Sequence, residues 1–196
     1  MSKFVKTIIT GQKAREKMLK GMNILADAVG STLGPRSRNV AVDTAPGHDL
    51  PPTVLHDGVS VAKSINVKDV HEDMGVRLLK GAALKTNEVA GDGTTTSTIL
   101  AQAMVNEAFI QIASGANPME LKATLEEQAR EAIEKLKRLA IPIKTQEETR
   151  QVASISAASK EIGRLISETI AKVGRDGVIT VEDGTSWETT VEYKTG

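Results

Sequence analysis

Met18, Met22, Leu25 and Val29 recur at three- and four-residue intervals, which places them on one face of a helix beginning near Gln12. Phe4, Val5, Ile8 and Ile9 give the chain a short apolar–polar start before it. Gly30, Gly34 and Pro35 stop the helix in a loop. The alternation Asn39 to Asp43 then reads as a strand, and Thr53 to Leu55, beyond a Pro/Gly-rich stretch, as its returning partner. Asp57-Gly58 marks a turn into a short helix over Val59 to Ile65. A long helix over Met74 to Val89 ends at Gly91. The next runs from Thr94 to about Ala113, with Ile99, Leu100, Ala103, Met104 and Ala108 clustered on one side. Asn117-Pro118, a cap followed by proline at the first helical position, opens a helix through Leu121, Leu125, Ala129, Ile133 and Leu136 that ends before Pro142. "IPIKTQEETRQ" is polar and begins extended, which sets a domain boundary near residue 140. A helix from about Lys160 to Val173 follows, then strand, turn and strand over Val178 to Val181, Asp183-Gly184 and Glu188 to Tyr193. The fold class expected is mainly α with one β-hairpin, followed by a small α+β segment.

Composition narrows the function classes. The 196 residues are 40% hydrophobic and 26% charged, with 25 basic residues balancing 25 acidic ones, so nothing in the bulk points to nucleic acid or an anionic membrane. No apolar run is long enough to span a bilayer, and the N-terminus lacks a secretory h-region. Cysteine is absent, which removes disulfides and thiolate metal sites and fits a cytoplasmic chain. Aromatic residues make up only 2%, too few rings for a base-stacking surface. His48, His56 and His71 lack tight ligand spacing and read as solvated side chains. Trp187 and Tyr193 read as cross-strand packing on the second hairpin. Glu131–Lys135 and Glu134–Arg138 read as i,i+4 pairs on a wet helix face.

Three glycine turns carry the candidate chemistry. In "AGDGTTTSTIL" a Gly-Asp-Gly turn precedes three β-branched threonines, which lose rotamer freedom in a helix. A helix N-terminus attracts anions through its unpaired N–H groups. Gly91 and Gly93 admit a bulky ligand, the hydroxyls of Thr94, Thr95 and Thr96 add hydrogen bonds, and Asp92 offers the hard oxygen that Mg²⁺ takes beside phosphates. Alternatively, Asp92 or Thr94 simply caps the helix. No lysine follows in the register of a Walker A loop. "TLGPRSRN" is a second such turn, with an ordinary helix stop as its alternative, and "HDGVS" a third, in which Asp57 is either a cap or a functional carboxylate. Taken alone, each turn is accounted for by capping. Their recurrence in one helical part is what points to a shared pocket.

These residues match a family. "TLGPRSRNV", "DGVSVAKSI", "AGDGTTTSTILAQAM", "GANPMELK" and "KVGRDGVITVEDGT" stand in the order and spacing of a group I chaperonin, the bacterial GroEL type, from about Lys13 to Thr185. The resemblance implies a subunit of a ring-shaped homo-oligomer that folds unfolded client proteins with ATP, usually with a co-chaperonin. It implies that residues 1–139 are the N-terminal half of an equatorial ATP-binding domain and 140–196 the N-terminal half of an intermediate domain. Nucleotide contacts carry over onto Thr32, Leu33, Gly34, Pro35, His56, Asp92, Gly93, Thr94, Thr95 and Thr96. Asp92 matches the Mg²⁺ ligand, Asp57 the carboxylate near the terminal phosphate and attacking water, and a K⁺ ion is implied near Thr32. The hairpin around Asn39 to Leu55 matches one that pairs with a neighbouring subunit.

The chain also departs from the family. Arg36-Ser37 stands where Lys-Gly is usual, His56 where lysine is usual, and Ala158 where asparagine is usual near the nucleotide; extra residues lie around Pro46 to Pro52. By resemblance the sequence stops about where an apical domain would begin. The expectation is a fragment whose catalytic aspartate and client-binding surface lie elsewhere. The alternatives are a binding or assembly module that does not hydrolyse ATP, or a non-functional truncation.

Overall fold

In the computed structural model, which describes residues 7–43, 49–174, 177–182, 184 and 189–194, the first helical pattern becomes α1, Gly11–Gly30. Its inner face is Gly21, Leu25, Ala26 and Val29. Strands β1 (Val40–Val42) and β2 (Thr53–Leu55) pair antiparallel, with Val40 opposite Leu55 and Val42 opposite Thr53. The expected hairpin is therefore present; the residues numbered 44–48, including His48, lie outside the described residues. Helix α2 (Gly58–Ser64) follows, then α3 (Val70–Ala90), α4 (Thr94–Ala113), α5 (Pro118–Leu139), α6 (Gln146–Ser156) and α7 (Lys160–Val173). The chain divides into two compact units, Met1–Glu127 and Gln128–Gly196.

In the first unit α1 packs on α3, α4 and α2. The core is Leu25, Ala26 and Val29 from α1, Val61 and Ala62 from α2, and Val76, Leu79 and Ala83 from α3. All are aliphatic, as the scarcity of rings requires, and small side chains let helix axes approach closely. The approach is tightest between α1 and α3. A β-carbon on Gly21 would strike the carbonyl of Glu72, and one on Gly75 would strike the carbonyl of Met18. Helix α3 starts four residues before the expected Met74, because Asp69 caps it by accepting from the backbone N–H of His71 (2.9 Å) and Glu72 (3.1 Å). Gly91, in the left-handed region at φ +69°, ends it as expected.

Helix α4 corrects one sequence expectation. The apolar cluster of Ile99, Leu100, Ala103, Met104 and Ala108 is not its packed face: Leu100, Ala103 and Met104 are exposed, whereas Thr94 and Thr98 are buried. The Thr98 hydroxyl donates to the Thr94 carbonyl at 2.8 Å, so it is satisfied within its own helix and tolerates burial. Towards α1 the helix presents Ile99 beside Gly30 and a set of amide hydrogen bonds, and the amides are what a search for apolar periodicity passes over.

The second unit holds a helix the apolar pattern did not reveal. No residue of helix α6 is fully buried, and its few apolar positions, Val152, Ala153 and Ile155, leave a weak signal. It is set by a capping box: Thr145 Oγ1 accepts from the Glu148 N–H at 3.2 Å, and Glu148 Oε2 accepts from the N–H groups of Thr145 and Lys144, both at 2.8 Å. The Lys144 and Thr145 N–H groups, and then the Thr145 side chain, hold the Glu148 carboxyl below its usual value. Helix α7 lies against α6, with Gly163 on the Ser154 backbone and the Ser167 hydroxyl donating to the Gln146 carbonyl at 3.1 Å. On α5 Glu134 pairs with Lys137 at 2.8 Å rather than with Arg138, and Lys122 pairs with Glu126 at 3.7 Å; no Glu131–Lys135 pair forms.

The strands expected at Val178–Val181 and towards Tyr193 are not formed among the described residues, which carry no helix or strand there. Val178 and Val181 are both 88% exposed, and a two-stranded hairpin with no surface to cover is marginal in water. Tyr193 instead lies under Lys172, whose Nζ is 3.6 Å from the ring centroid. Asp183 and Trp187 fall outside the described residues.

Candidate functional site

The three turns meet. Thr32 and Leu33, after α1, His56 and Asp57, before α2, and Asp92, Gly93, Thr94, Thr95 and Thr96, at the start of α4, line one cleft of about 230 Å³. Gly34 and Pro35 do not line it. They form the next turn outward, with Gly34 at φ +83° and the Ser37 N–H donating to its carbonyl at 3.0 Å. Gly58 lines the cleft as well, and the sequence patterns gave it no role beyond the turn. A β-carbon there would run into the Thr95 hydroxyl and lie 3.4 Å from that of Thr32. The signal was its place directly after Asp57, at the first position of a helix that must sit flush against another helix start.

The start of α4, like that of α1, carries no side-chain cap, unlike those of four other helices. Asp57, Asp69, Thr145 and Ser159 each place a side-chain oxygen on the first turn of α2, α3, α6 and α7. At α4 the cap position is Gly93, with φ +77°, and no side chain caps the helix. Asp92 is not the cap that one reading of the sequence allowed; its Oδ1 accepts only from the adjacent Gly93 N–H at 2.6 Å. Uncapped N–H groups and the helix dipole at one wall of an open cleft constitute an anion-binding arrangement.

The threonines divide their work. Thr32 Oγ1 donates to the Val29 carbonyl at 2.7 Å and lies 3.0 Å from Thr95 Oγ1. A hydroxyl has one proton, so Thr95 donates to Thr32. Thr95 therefore offers lone pairs and its backbone N–H to the cleft, while Thr96 is exposed and Thr94 is buried.

Asp57 does cap α2: its Oδ2 accepts from the Ser60 N–H at 3.0 Å and the Ser60 hydroxyl at 3.1 Å. The carboxylate is also exposed on the cleft, so cap and site residue are one group here. The far end of α2 is fixed by Lys80, whose Nζ donates to the carbonyls of Ile65 (2.7 Å) and Lys63 (3.2 Å). Burial pushes the Lys80 ammonium below its usual value. With both ends held, α2 presents Asp57 from a fixed position.

Among the described residues no group of three or more His, Asp or Glu side chains could hold a metal ion. A divalent ion at Asp92 would complete its shell with ligand oxygens and water, as Mg²⁺ does beside phosphates. At about 230 Å³ the cleft is smaller than the roughly 300 Å³ at which pockets begin to enclose a whole small molecule. Its size suits the phosphate end of a nucleotide. Among the described residues no helix is long and apolar enough to cross a membrane.

The chain matches the family model of the TCP-1/cpn60 chaperonin family over residues 25–193. Among solved structures it is similar to a group III chaperonin in the open state, with 21% identity and a TM-score of 0.67 over 82% of this chain and 32% of the other. It is also similar to the chaperonin gp146 of bacteriophage EL, crystallised in the presence of ATP-BeFx. The two crystal forms of gp146 give 25% and 27% identity, each with a TM-score of 0.65 over 84% of this chain and 28% and 29% of theirs. The chain thus spans about a third of the length of these relatives.

Proposed function

The chain belongs to the TCP-1/cpn60 chaperonin family, and from that premise we propose that its cleft holds the phosphates and Mg²⁺ of ATP in a molecular chaperone. The observation that carries this is the uncapped start of α4 facing Asp57 and Thr32 across one small cleft. In the proposal the N–H groups of Thr94, Thr95 and Thr96 hold phosphate oxygens, and Asp92 supplies the carboxylate oxygen for Mg²⁺. The metal would draw charge from the phosphate oxygens when bound. Asp57, kept in place by Ser60 and by the clamp of Lys80 on α2, orients a water or balances charge at the terminal phosphate. Thr32 Oγ1 keeps one lone pair after its two hydrogen bonds, enough to join a K⁺ shell. The presence of ATP-BeFx with gp146 supports the nucleotide class.

The wider proposal follows the family. Residues 1–139 form the N-terminal half of an equatorial ATP-binding domain and 140–196 that of an intermediate domain. The whole protein assembles into a ring in the cytoplasm and acts on unfolded clients with a co-chaperonin. A second reading, nucleotide binding without turnover, is favoured by the engagement of Asp57 Oδ2 with Ser60. Calorimetric titration with ATP, with and without Mg²⁺, followed by phosphate release, separates these. Saturable binding that needs Mg²⁺ and is lost in Asp92→Ala supports the site; no binding by the native chain overturns it. Binding with no phosphate released selects the second reading.

A further inference from the structure

Helices α1 and α4 run antiparallel, joined by a ladder of amides. Asn23 Nδ2 donates to Asn106 Oδ1 at 3.1 Å, and Asn106 Nδ2 donates back to Asn23 Oδ1 at 2.9 Å. Gln102 Nε2 donates to Asn23 Oδ1 at 3.0 Å and to Asp27 Oδ1 at 2.8 Å. Both amide protons of Gln102 are thereby used, and Asn23 Oδ1 accepts twice. Continuing the ladder towards the cleft, Gly30 meets the Ile99 side chain in ordinary contact, and Thr32 then meets Thr95 at 3.0 Å. As residue numbers rise on one helix, partners fall on the other, so one register satisfies every rung.

Besides the packing of α4 on α3 and α2, that register has few other sources. No side chain caps α4, and the turn before it has two glycines in the left-handed region, Gly91 and Gly93, so the turn itself imposes little. An apolar seam between two helices tolerates a slip of one turn, about 5.4 Å. A reciprocal amide pair does not, because a slip leaves partly buried donors and acceptors without partners. Single polar rungs of this kind set register in helix pairs.

We infer that Asn23, Asp27, Gln102 and Asn106 are positioning residues: they fix α4 axially on α1 and so hold Thr95 and the open helix start against Thr32. The consequence for nucleotide rests on the phosphate reading of the cleft. Gln102 lies seven residues beyond Thr95, about 10.5 Å along the helix, so it acts on the cleft only through α4 as a rigid rod.

The chain has no cysteine, so a Thr32→Cys/Thr95→Cys pair can form only one intramolecular disulfide. Its rate of formation without nucleotide reads the register directly. In a background of Asn23→Leu, Gln102→Leu and Asn106→Leu, which replaces the amides by apolar groups of similar size, the thermal midpoint is expected to hold or rise. The disulfide rate is expected to fall at least about tenfold, and Mg-ATP affinity, measured with Thr32 and Thr95 intact, by a similar factor. A folded variant whose disulfide forms at the native rate overturns the inference. Gln102→Met alone, which keeps length and removes two rungs, is read in the same way if the triple variant does not fold. If the native chain binds no Mg-ATP, the phosphate reading fails, and the disulfide rates still decide the register claim.

Discussion

Gly75 lies so close to Met18 that a β-carbon would overlap the Met18 carbonyl, and Gly21 stands in the same relation to Glu72. In an open helix interior, glycine to alanine gains about 0.5–1 kcal/mol. Here the sign reverses, because the obstacle is backbone and cannot rotate away. Gly75→Ala and Gly21→Ala are each expected to cost about 1–3 kcal/mol, typical of overpacking. Gly81→Ala, with nothing within 4 Å of its β-carbon, is expected to gain about 0.5–1 kcal/mol. Urea midpoints of the three variants check this, and a common sign for all three would contradict it.

Gly58→Ala separates helix propensity from site geometry. Alanine favours α2 as a helix, but its β-carbon meets the Thr95 hydroxyl. The Thr95–Thr32 contact must open. A loss of at least about tenfold in Mg-ATP affinity is expected, equivalent to about 1.4 kcal/mol. Titration of the variant beside the native chain measures it.

Asp69 predicts an acid limb. Its carboxyl is lowered from the usual 3.8 to about 2, first by the hydrogen bond from Lys17 and then by the Glu72 and His71 N–H groups. A carboxyl lowered on folding stabilises the fold above its unfolded value and loses that contribution as pH falls. Stability from this group is therefore level above about pH 4 and declines towards pH 2. Asparagine caps nearly as well as aspartate, so Asp69→Asn keeps the cap and removes the ion pair. The difference in thermal midpoint between native and Asp69→Asn chains should shrink from pH 5 to pH 2; a constant difference would remove Asp69 from the account.

Ala158, the first residue beyond the α6 cap, sits at φ +49°, the only described non-glycine residue at positive φ. Its N–H donates to the Ile155 carbonyl at 3.1 Å and that of Ser159 to the Ser154 carbonyl at 3.2 Å, the bonding of a left-handed helix stop. An L residue there costs roughly 1–2 kcal/mol. Ala158→Gly recovers this less the greater unfolded entropy of glycine, a net gain of about 0.5–1 kcal/mol. Asparagine, usual at this place in the family the sequence resembles, is expected to act in the same direction. Chemical denaturation followed in the second unit tests both.

Elements with an apolar stripe or a terminal signal were legible in the sequence. The α1 stripe, the Val40–Leu55 hairpin, the Gly91 stop and Asn117-Pro118 all lie where local chemistry puts them. Helix α6 was not, because it meets α7 through half-buried small residues rather than a buried apolar stripe; its T-x-x-E capping box had no long apolar run behind it. The apolar cluster on α4 did not mark its packed face: Ile99 meets α1, but Leu100 and Met104 are exposed and amides make the polar contacts to α1. The meeting of the three turns was legible only as a coincidence of glycine, aspartate and threonine. The role of Thr95 as donor to Thr32, and of Gly58 as the gap that admits it, depends on distances between helices that no local pattern encodes.

The claim that the start of α4 receives phosphate is tested most directly by amide NMR of the full chain, titrated with Mg-ATP and, separately, with adenosine. The account predicts that the N–H resonances of Gly93, Thr94, Thr95 and Thr96 shift saturably with Mg-ATP and stay in place with adenosine. Saturable binding that leaves those four amides unmoved, or moves them equally with adenosine, would contradict it.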